Sequence, residues 1–450
     1  PFVGAKYQND EQRSDAAHVM GRIPNSGLLD YVACWHVKAA HYMQGNPQLR
    51  TGLVSTNSIC QGEQVGVLWP HMLAQGLHLH FAHRTFQWSN EGRGVAAVHC
   101  IIVGYGSQPV APCVVFDYSD NIKAAEGQRL ELSRINPYLV EAPDVVAEGR
   151  SSALCEVPPI VNGSIPADGG NLILTPEERD VLVASEPNAA KWLKPYIGAE
   201  GFINAETRYC LWLKSCPPNQ LRKMPLVMQR VEAVRTMRLT SKKLPTKAKA
   251  STPTLFTEDR QPQSGRYLAI PRTSSENREY IPIGYLSHEV IAANDLQLVP
   301  DADTYHYGVI QCRMYMAWVK STSGRLKSDY RYSVKYTYNT FPWPKPSSDK
   351  QREAIEFAAQ AVLDARALYP DATLADLYDP LTMPADLGKA HATLDKAVDA
   401  AYGYKGGKDD ASRVAFLFKL YQQLAAPLDA AAPAPRRSRR AGVAAGAPNS

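Results

Sequence analysis

The sequence predicts an α/β chain: the second half of an open sheet first, then a mixed α+β domain, then a helical domain. Three observations predict this. Residues 28–106 read in the order helix, strand, helix, strand, hairpin, strand; from about 130 to 345 short strand-like pieces stand among prolines and basic residues; after Phe341-Pro342-Trp343-Pro344 the chain becomes Ala-rich with helical spacing.

Each element has a local reason. Leu28, Leu29, Val32, Trp35, Ala39 and Met43 recur at three-to-four spacing, which predicts a helix over 28–43, closed by Gly45-Asn46-Pro47. GLVSTNSI (52–59) is short and rich in β-branched residues and reads as a buried strand, followed by a helix over 61–76 that Pro70 bends. LHLHFAHRTFQW (77–88) alternates and VAAVHCIIVGYG (95–106) is nearly all apolar, so the turn-prone SNEGRG between them joins two strands of a hairpin. This order suits the second half of an open sheet whose last strand runs antiparallel, with the first half expected outside the chain. In the middle region MPLVMQRVEAVRTMRLTSKK (224–243) is the best helix, and LPTKAKASTPTLF after it reads as a mobile basic loop. Helices are expected at 349–368, 386–401 and 410–426, as a bundle or collar. The tail from Ala425, with APAPRRSRRAG, has a disordered composition. The expected boundaries are 1–125, 126–345, 346–426 and a basic tail over 427–450.

Composition narrows the function. With 450 residues, 45% hydrophobic and 21% charged, the chain has enough apolar material for several cores. It has no apolar run near the roughly 20 residues of a membrane span, and nothing at its start reads as a signal peptide, so neither export nor membrane insertion is expected. Eight cysteines are scattered without a CxxC pair or zinc spacing, which argues against a structural metal or a disulfide scaffold. The net charge of +5 is unevenly placed: Gly201 to Tyr280 carry fifteen Lys/Arg against six Asp/Glu. That asymmetry points to a polyanionic partner, with a solvated basic face as the bland alternative.

RTGLVSTNSICQGEQVGVLWP, HFAHRTFQWSNEG with AAVHCIIVGYG, NPYLVEAPDV, DGGNLIL, LRKMPLVMQRVEAVR, TPTLF, YIPIGYL, YHYGVIQCRMYMAWVKSTSGRLKSDYRYS and YNTFPWP together resemble, in order, segments of the MmeI-like DNA methyltransferases. The resemblance implies a Rossmann-like, S-adenosylmethionine-dependent methyltransferase sheet, an α+β target-recognition domain and a helical C-terminal domain. It also implies double-stranded DNA as partner, transfer to the N6 amine of adenine, a role in bacterial restriction-modification, and a cytoplasmic location. The family's catalytic motif is Asn-Pro-Pro-Phe/Tyr, and Pro1-Phe2 resemble its last two positions. The chain is therefore read as the C-terminal portion of such a protein, starting inside that motif and lacking the cofactor-binding half, so that catalysis by it alone is expected to fail. Two other readings stand beside this one: a non-catalytic specificity module working with a partner, and transfer to a cytosine amine.

The chemistry assigns candidate roles. An adenine amine has its lone pair delocalised into the ring, so the base must leave the stack and be held beside the methyl donor. The resemblance makes Phe2 the aromatic platform, and places Phe86, Trp88 and Asn90 in a loop against the extruded base; Phe86 and Trp88 as caps of the sheet are the plainer reading. Ser55, Thr56, Asn57 and Ser58 end a strand at an edge where substrates often meet polar groups, or simply cap the next helix. Arg222, Lys223, Arg230, Arg235, Arg238, Lys242 and Lys243 are candidates for DNA phosphates. Lys327 and Asp329, two apart in an extended stretch, share a face and suit the acceptors of guanine and the amine of its paired cytosine, or form a surface ion pair. Arg272, Glu276 and Arg278 are weaker candidates for base reading. His71, His78, His80 and His83 lack a carboxylate or thiol at ligand spacing and read as structural.

Overall fold

The computed structural model describes residues 2–88, 98–119, 121–326, 329–346 and 348–431. The first region contains α1 (Asp10–Met20), α2 (Ala33–Met43), β1 (Arg50–Thr56), α3 (Val65–Ala74), β2 (His78–Trp88), β3 (Val98–Gly106), β4 (Cys113–Asp117) and β5 (Gln128–Leu132). The strands form one sheet in the order β1-β3-β2-β4-β5. β3 lies antiparallel to both β1 and β2, and β2 runs parallel to β4, so the predicted hairpin is present and pairs on both sides. Phe81 explains the small residue opposite it, because a Cβ on Gly104 would lie 2.0 Å from that ring. Sequence reading missed α1, which starts at a reciprocal cap between Asn9 and Gln12. It also missed β4 and β5, five residues each, the second with only partial burial and no apolar run.

The middle region contains β6 (Val161–Asn162), β7 (Ile173–Leu174), α4 (Pro176–Ser185), β8 (Leu193–Ile197), α5 (Ala199–Asn204), β9 (Arg208–Leu211), α6 (Pro218–Leu221), α7 (Pro225–Leu239), α8 (Leu244–Ala248) and β10 (Arg266–Pro271). It continues with β11 (Thr273–Ser274), β12 (Gly284–Ser287), β13 (Ile291–Ala292), β14 (Leu296–Pro300), α9 (Thr304–Ile310), α10 (Arg313–Thr322), β15 (Gly324–Leu326) and β16 (Asp329–Arg331). Three small sheets result, ordered β12-β10-β14-β6, β13-β8-β9-β7 and β11-β16-β15. The expected mobile loop after α7 is instead α8 and a 3-10 turn at Lys249–Ser251. Its cause is tertiary: the Arg238 guanidinium takes the Lys249 and Thr252 carbonyls and ties the segment down.

The last region is helical: α11 (Asp349–Ala367), α12 (Leu374–Leu377), α13 (Ala385–Tyr402) and α14 (Asp410–Ala431). One apolar core joins all three regions, with Trp69 and Val103, then Trp318 and Phe341, then Phe418 in continuous contact. Tyr138 and Trp318 sit 4.6 and 4.9 Å from the Phe418 ring, so the three regions are packed together rather than tethered. A second core around Leu211, Val227 and Val234 belongs to the lobe of α4, α7 and β7–β9. Among the described residues no helix is long and apolar enough to cross a membrane.

Candidate active site and DNA-binding cleft

At the carboxyl end of β1 the chain gathers polar groups around Asp30. One carboxylate oxygen accepts from the Ala5 amide at 3.0 Å; the other accepts from Ser58 Oγ at 2.6 Å and Thr56 Oγ1 at 3.3 Å. The Tyr31 amide donates to the Val3 carbonyl at 2.9 Å, so residues 3–5 are laced to this edge. Phe2, 47% exposed, therefore stands beside it, while Pro1 lies outside the described residues. Thr56 and Ser58 are thus tied to Asp30 and are not a cap for the following helix.

The next layer is aromatic. His83 stacks on Phe116 at 4.3 Å, its Nδ1 is 2.8 Å from the Tyr118 hydroxyl, and Phe86 lies 5.2 Å from Tyr118 and 6.0 Å from Trp88. Burial holds His83 below the usual imidazole range. His80 Nε2 is 2.8 Å from the Gln108 carbonyl. Trp88 is 44% exposed at the strand's end, and Asn90 lies outside the described residues.

A cavity of about 1060 Å³ opens against this edge and is walled by all three regions: Asn57 just after β1 with Arg84 and Gln87 from β2, Asn277 and Arg325 from the middle region, and Lys408 from the last. It has room for a nucleotide and its flanking groups. Thr85 and Gln87 line it, whereas Phe86 and Trp88, alternate with them on β2, do not. Arg84 crosses its floor, donating to the Leu139 carbonyl and pairing with Asp117. Arg84, Tyr118 and Lys408 were missed by sequence reading, because they come from one strand and two separate loops and form no local pattern.

The recognition candidates meet a different geometry from the expected one. Leu326 pairs with Asp329, so the chain reverses between them, and the single extended face expected for Lys327 and Asp329 gives way to a hairpin of β15 and β16. Lys327 itself lies outside the described residues. Asp329 is half-buried near Arg278; burial lowers that guanidinium's pKa, opposed by the Asp329 and Asp379 carboxylates. Arg272 is half-buried too, lowered by burial and by Arg331. Arg325 lies over the Tyr330 ring at 4.0 Å, and Glu276 lines the cavity with it. The hairpin abuts the first region directly: Gly62 has φ +67°, and a Cβ there would lie 2.9 Å from Gly324 Cα.

The basic segment divides. Arg222, Lys223, Lys242 and Lys243 are exposed, as phosphate contacts require. Arg230 is half-buried, donating to the Asn171 carbonyl and pairing with Glu178, and Arg235 lies 3.8 Å from Glu232. Arg238 is a correction: it is fully buried, and its guanidinium donates to the carbonyls of Pro166, Ala167, Lys249, Thr252 and Leu255. No donor remains for a phosphate.

Family models match consecutive stretches of the chain: the MmeI DNA-methyltransferase domain at residues 1–117, the MmeI target recognition domain at 141–345 and the MmeI C-terminal domain at 347–429. A curated relative, DNA methyltransferase A of Bacillus subtilis (strain 168), is 36% identical over 424 residues, covering 94% of this chain and 47% of that protein. The solved structure of the Type IIL restriction-modification enzyme MmeI in complex with DNA is similar with a TM-score of 0.85 and 44% identity, covering 95% of this chain and 56% of that one. The chain thus spans about half the length of each relative.

These matches correct three expectations. The chain is not merely a C-terminal portion of the family's architecture, since methyltransferase, recognition and C-terminal models all match. The expected half sheet gives way to the five-stranded sheet of residues 50–132, whose first four strands lie within the methyltransferase match. The expectation that the cofactor-binding half lies outside the chain falls with it. The donor set suits S-adenosylmethionine in kind: a carboxylate and two hydroxyls match the amine and hydroxyls of an adenosyl group. By its three matched domains, in the order methyltransferase, target recognition and C-terminal, the chain belongs to the MmeI family.

Proposed function

We propose that the protein methylates the N6 amine of an adenine withdrawn from a specific double-stranded DNA sequence. The observation that carries this reading is the cavity walled jointly by the sheet, the recognition region and the C-terminal region, on whose wall Asn57 stands between Thr56 and Ser58 of the Asp30 cluster. S-adenosylmethionine supplies the methyl group when bound, and Asp30, Thr56 and Ser58 would hold its polar edge. Phe2 is assigned as the platform for the target ring, and Phe86, Trp88 and Asn90 as contacts to the extruded base. Lys327 and Asp329, helped by Arg272 and Arg278, read base edges from the hairpin; Arg222, Lys223, Lys242 and Lys243 grip phosphates. The functional division falls near residues 125, 345 and 426.

The test is to incubate the full protein with plasmid DNA and S-adenosylmethionine and to analyse the digested nucleosides by mass spectrometry. N6-methyladenine confined to one motif is the expected result. N4-methylcytosine overturns the choice of base, and unmodified DNA overturns the activity.

A further inference from the structure

The loop between α13 and α14 stands between two large cavities. Besides the cavity already described, one of about 1030 Å³ lies against β5 and α14; the two share Arg84, Asp117 and Ser119 on one side and Asp409 on the other. Lys408 lines the first and Lys405 the second. The loop is held in shape by its own contacts. Gly403 takes φ +64°, the Tyr404 hydroxyl donates to the Gly407 carbonyl at 2.7 Å, and a Cβ on Gly406 would lie 2.6 Å from that hydroxyl. Tyr404 packs on Phe416 at 5.0 Å, which ties the loop to α14.

The loop carries two lysines and two aspartates, and both aspartates are engaged. Asp409 accepts from the Ser412 amide and hydroxyl at 2.8 and 2.7 Å, and Asp410 pairs with Lys320 of α10 at 2.6 Å. Lys405 and Lys408 are exposed, and neither has an ion-pair partner among the described residues. Two cations on a braced loop, one facing each cavity, are what a passing polyanion strand requires: charge at fixed spacing without base-reading geometry. Lys320 lies on the helix that leads into β15, so the loop is tied to the base of the recognition hairpin.

We infer that the Tyr404–Asp410 loop is a phosphate-binding site of the C-terminal domain, in which Lys405 and Lys408 hold the phosphodiester backbone of the DNA strand that runs from one cavity to the other. The inference rests on the proposal that the protein binds DNA. The experiment measures the affinity of the full protein for a fluorescent duplex by anisotropy across a salt series, for unaltered protein, Lys405→Gln/Lys408→Gln, and Lys389→Gln/Lys396→Gln on α13. Losing two phosphate contacts lowers the slope of log affinity against log salt by about 1.8. The loop pair is expected to show that fall with cognate and random duplexes alike, and the α13 pair to match unaltered protein. A slope unchanged in the loop pair overturns the inference while leaving DNA binding intact. An equal fall in both pairs overturns it as well, since any two lysines would then do. No anisotropy change with unaltered protein removes the DNA-binding reading and this inference together.

Discussion

Arg238 and Lys243 stand five positions apart on one basic segment and do opposite work. Lys243 projects into solvent, whereas Arg238 is a buried five-way donor that ties the Pro166–Ala167 and Lys249–Leu255 segments to α7. Replacing Arg238 by Met leaves five part-buried carbonyls without that partner. The expected cost is on the order of 3–5 kcal/mol in urea unfolding, with no change in the salt slope of DNA binding where the variant is folded. A phosphate-contact role would give the reverse result. His391 supplies the pH dependence. It is stacked on Tyr280 at 4.0 Å, lies 2.9 Å from the Tyr378 hydroxyl, and is pushed down to about 3 by burial and then by Arg366. From the ordinary value of 6.5 down to about 3, the unfolded chain binds a proton that the folded chain refuses. The stability His391 contributes is therefore whole above pH 6.5 and is lost as pH falls, by up to about 1.4 kcal/mol per unit. His36, fully buried and lowered to about 4, acts in the same sense. Unfolding midpoints at about pH 7 and about pH 5.5 measure the slope. His391→Phe, which keeps the ring, is expected to flatten it, and an unchanged slope would refute the assignment.

At the scale of elements the recognition hairpin is the instructive case. Alternation placed Lys327 and Asp329 on one face, but alternation holds only while the strand continues, and the pairing of Leu326 with Asp329 ends it there. Base reading by Lys327 and Asp329 remains the proposal, because a Lys donor suits the acceptors of guanine and an Asp acceptor the amine of cytosine. Combining Lys327→Glu with Asp329→Arg inverts donor and acceptor. The expected outcome is a changed base pair at one outer position of the motif, read by sequencing the methylated sites; an unchanged motif sinks the assignment. The backbone of Gly62 meets the start of the hairpin directly, since a Cβ on Gly62 would lie 2.9 Å from Gly324 Cα. Long elements were legible in the sequence: the helix at 349–368 and the strands at 77–88 and 95–106 appear at nearly the expected places, since their periodicity extends over many residues. β4, β5 and α8 were not, because five residues carry too little pattern and their neighbours decide their shape.

At the scale of the molecule, a shared core makes the three regions one mechanical unit. Phe418 of α14 packs on Trp318 of α10 and on Tyr138, so Phe418→Ala opens a cavity at the junction. The expected loss is about 3–5 kcal/mol, lowering one joint unfolding transition of the sheet, α10 and the C-terminal helices. The lobe built on Val227 and Val234 has its own core, and its protection from proteolysis should change less. If the C-terminal helices alone melt earlier, the shared core is not the unit described.

The sequence by itself determined the α/β, α+β and helical order, the concentration of positive charge between 201 and 280, and the family resemblance, since these rest on composition, periodicity and collinear segments. Only the tertiary structure decided which cations face solvent, that Leu326 pairs with Asp329, and that Arg84, Arg325 and Lys408 line one cavity. Burial and long-range contact belong to the packed chain, and residues brought together from positions 84, 325 and 408 leave no trace in any local window of sequence.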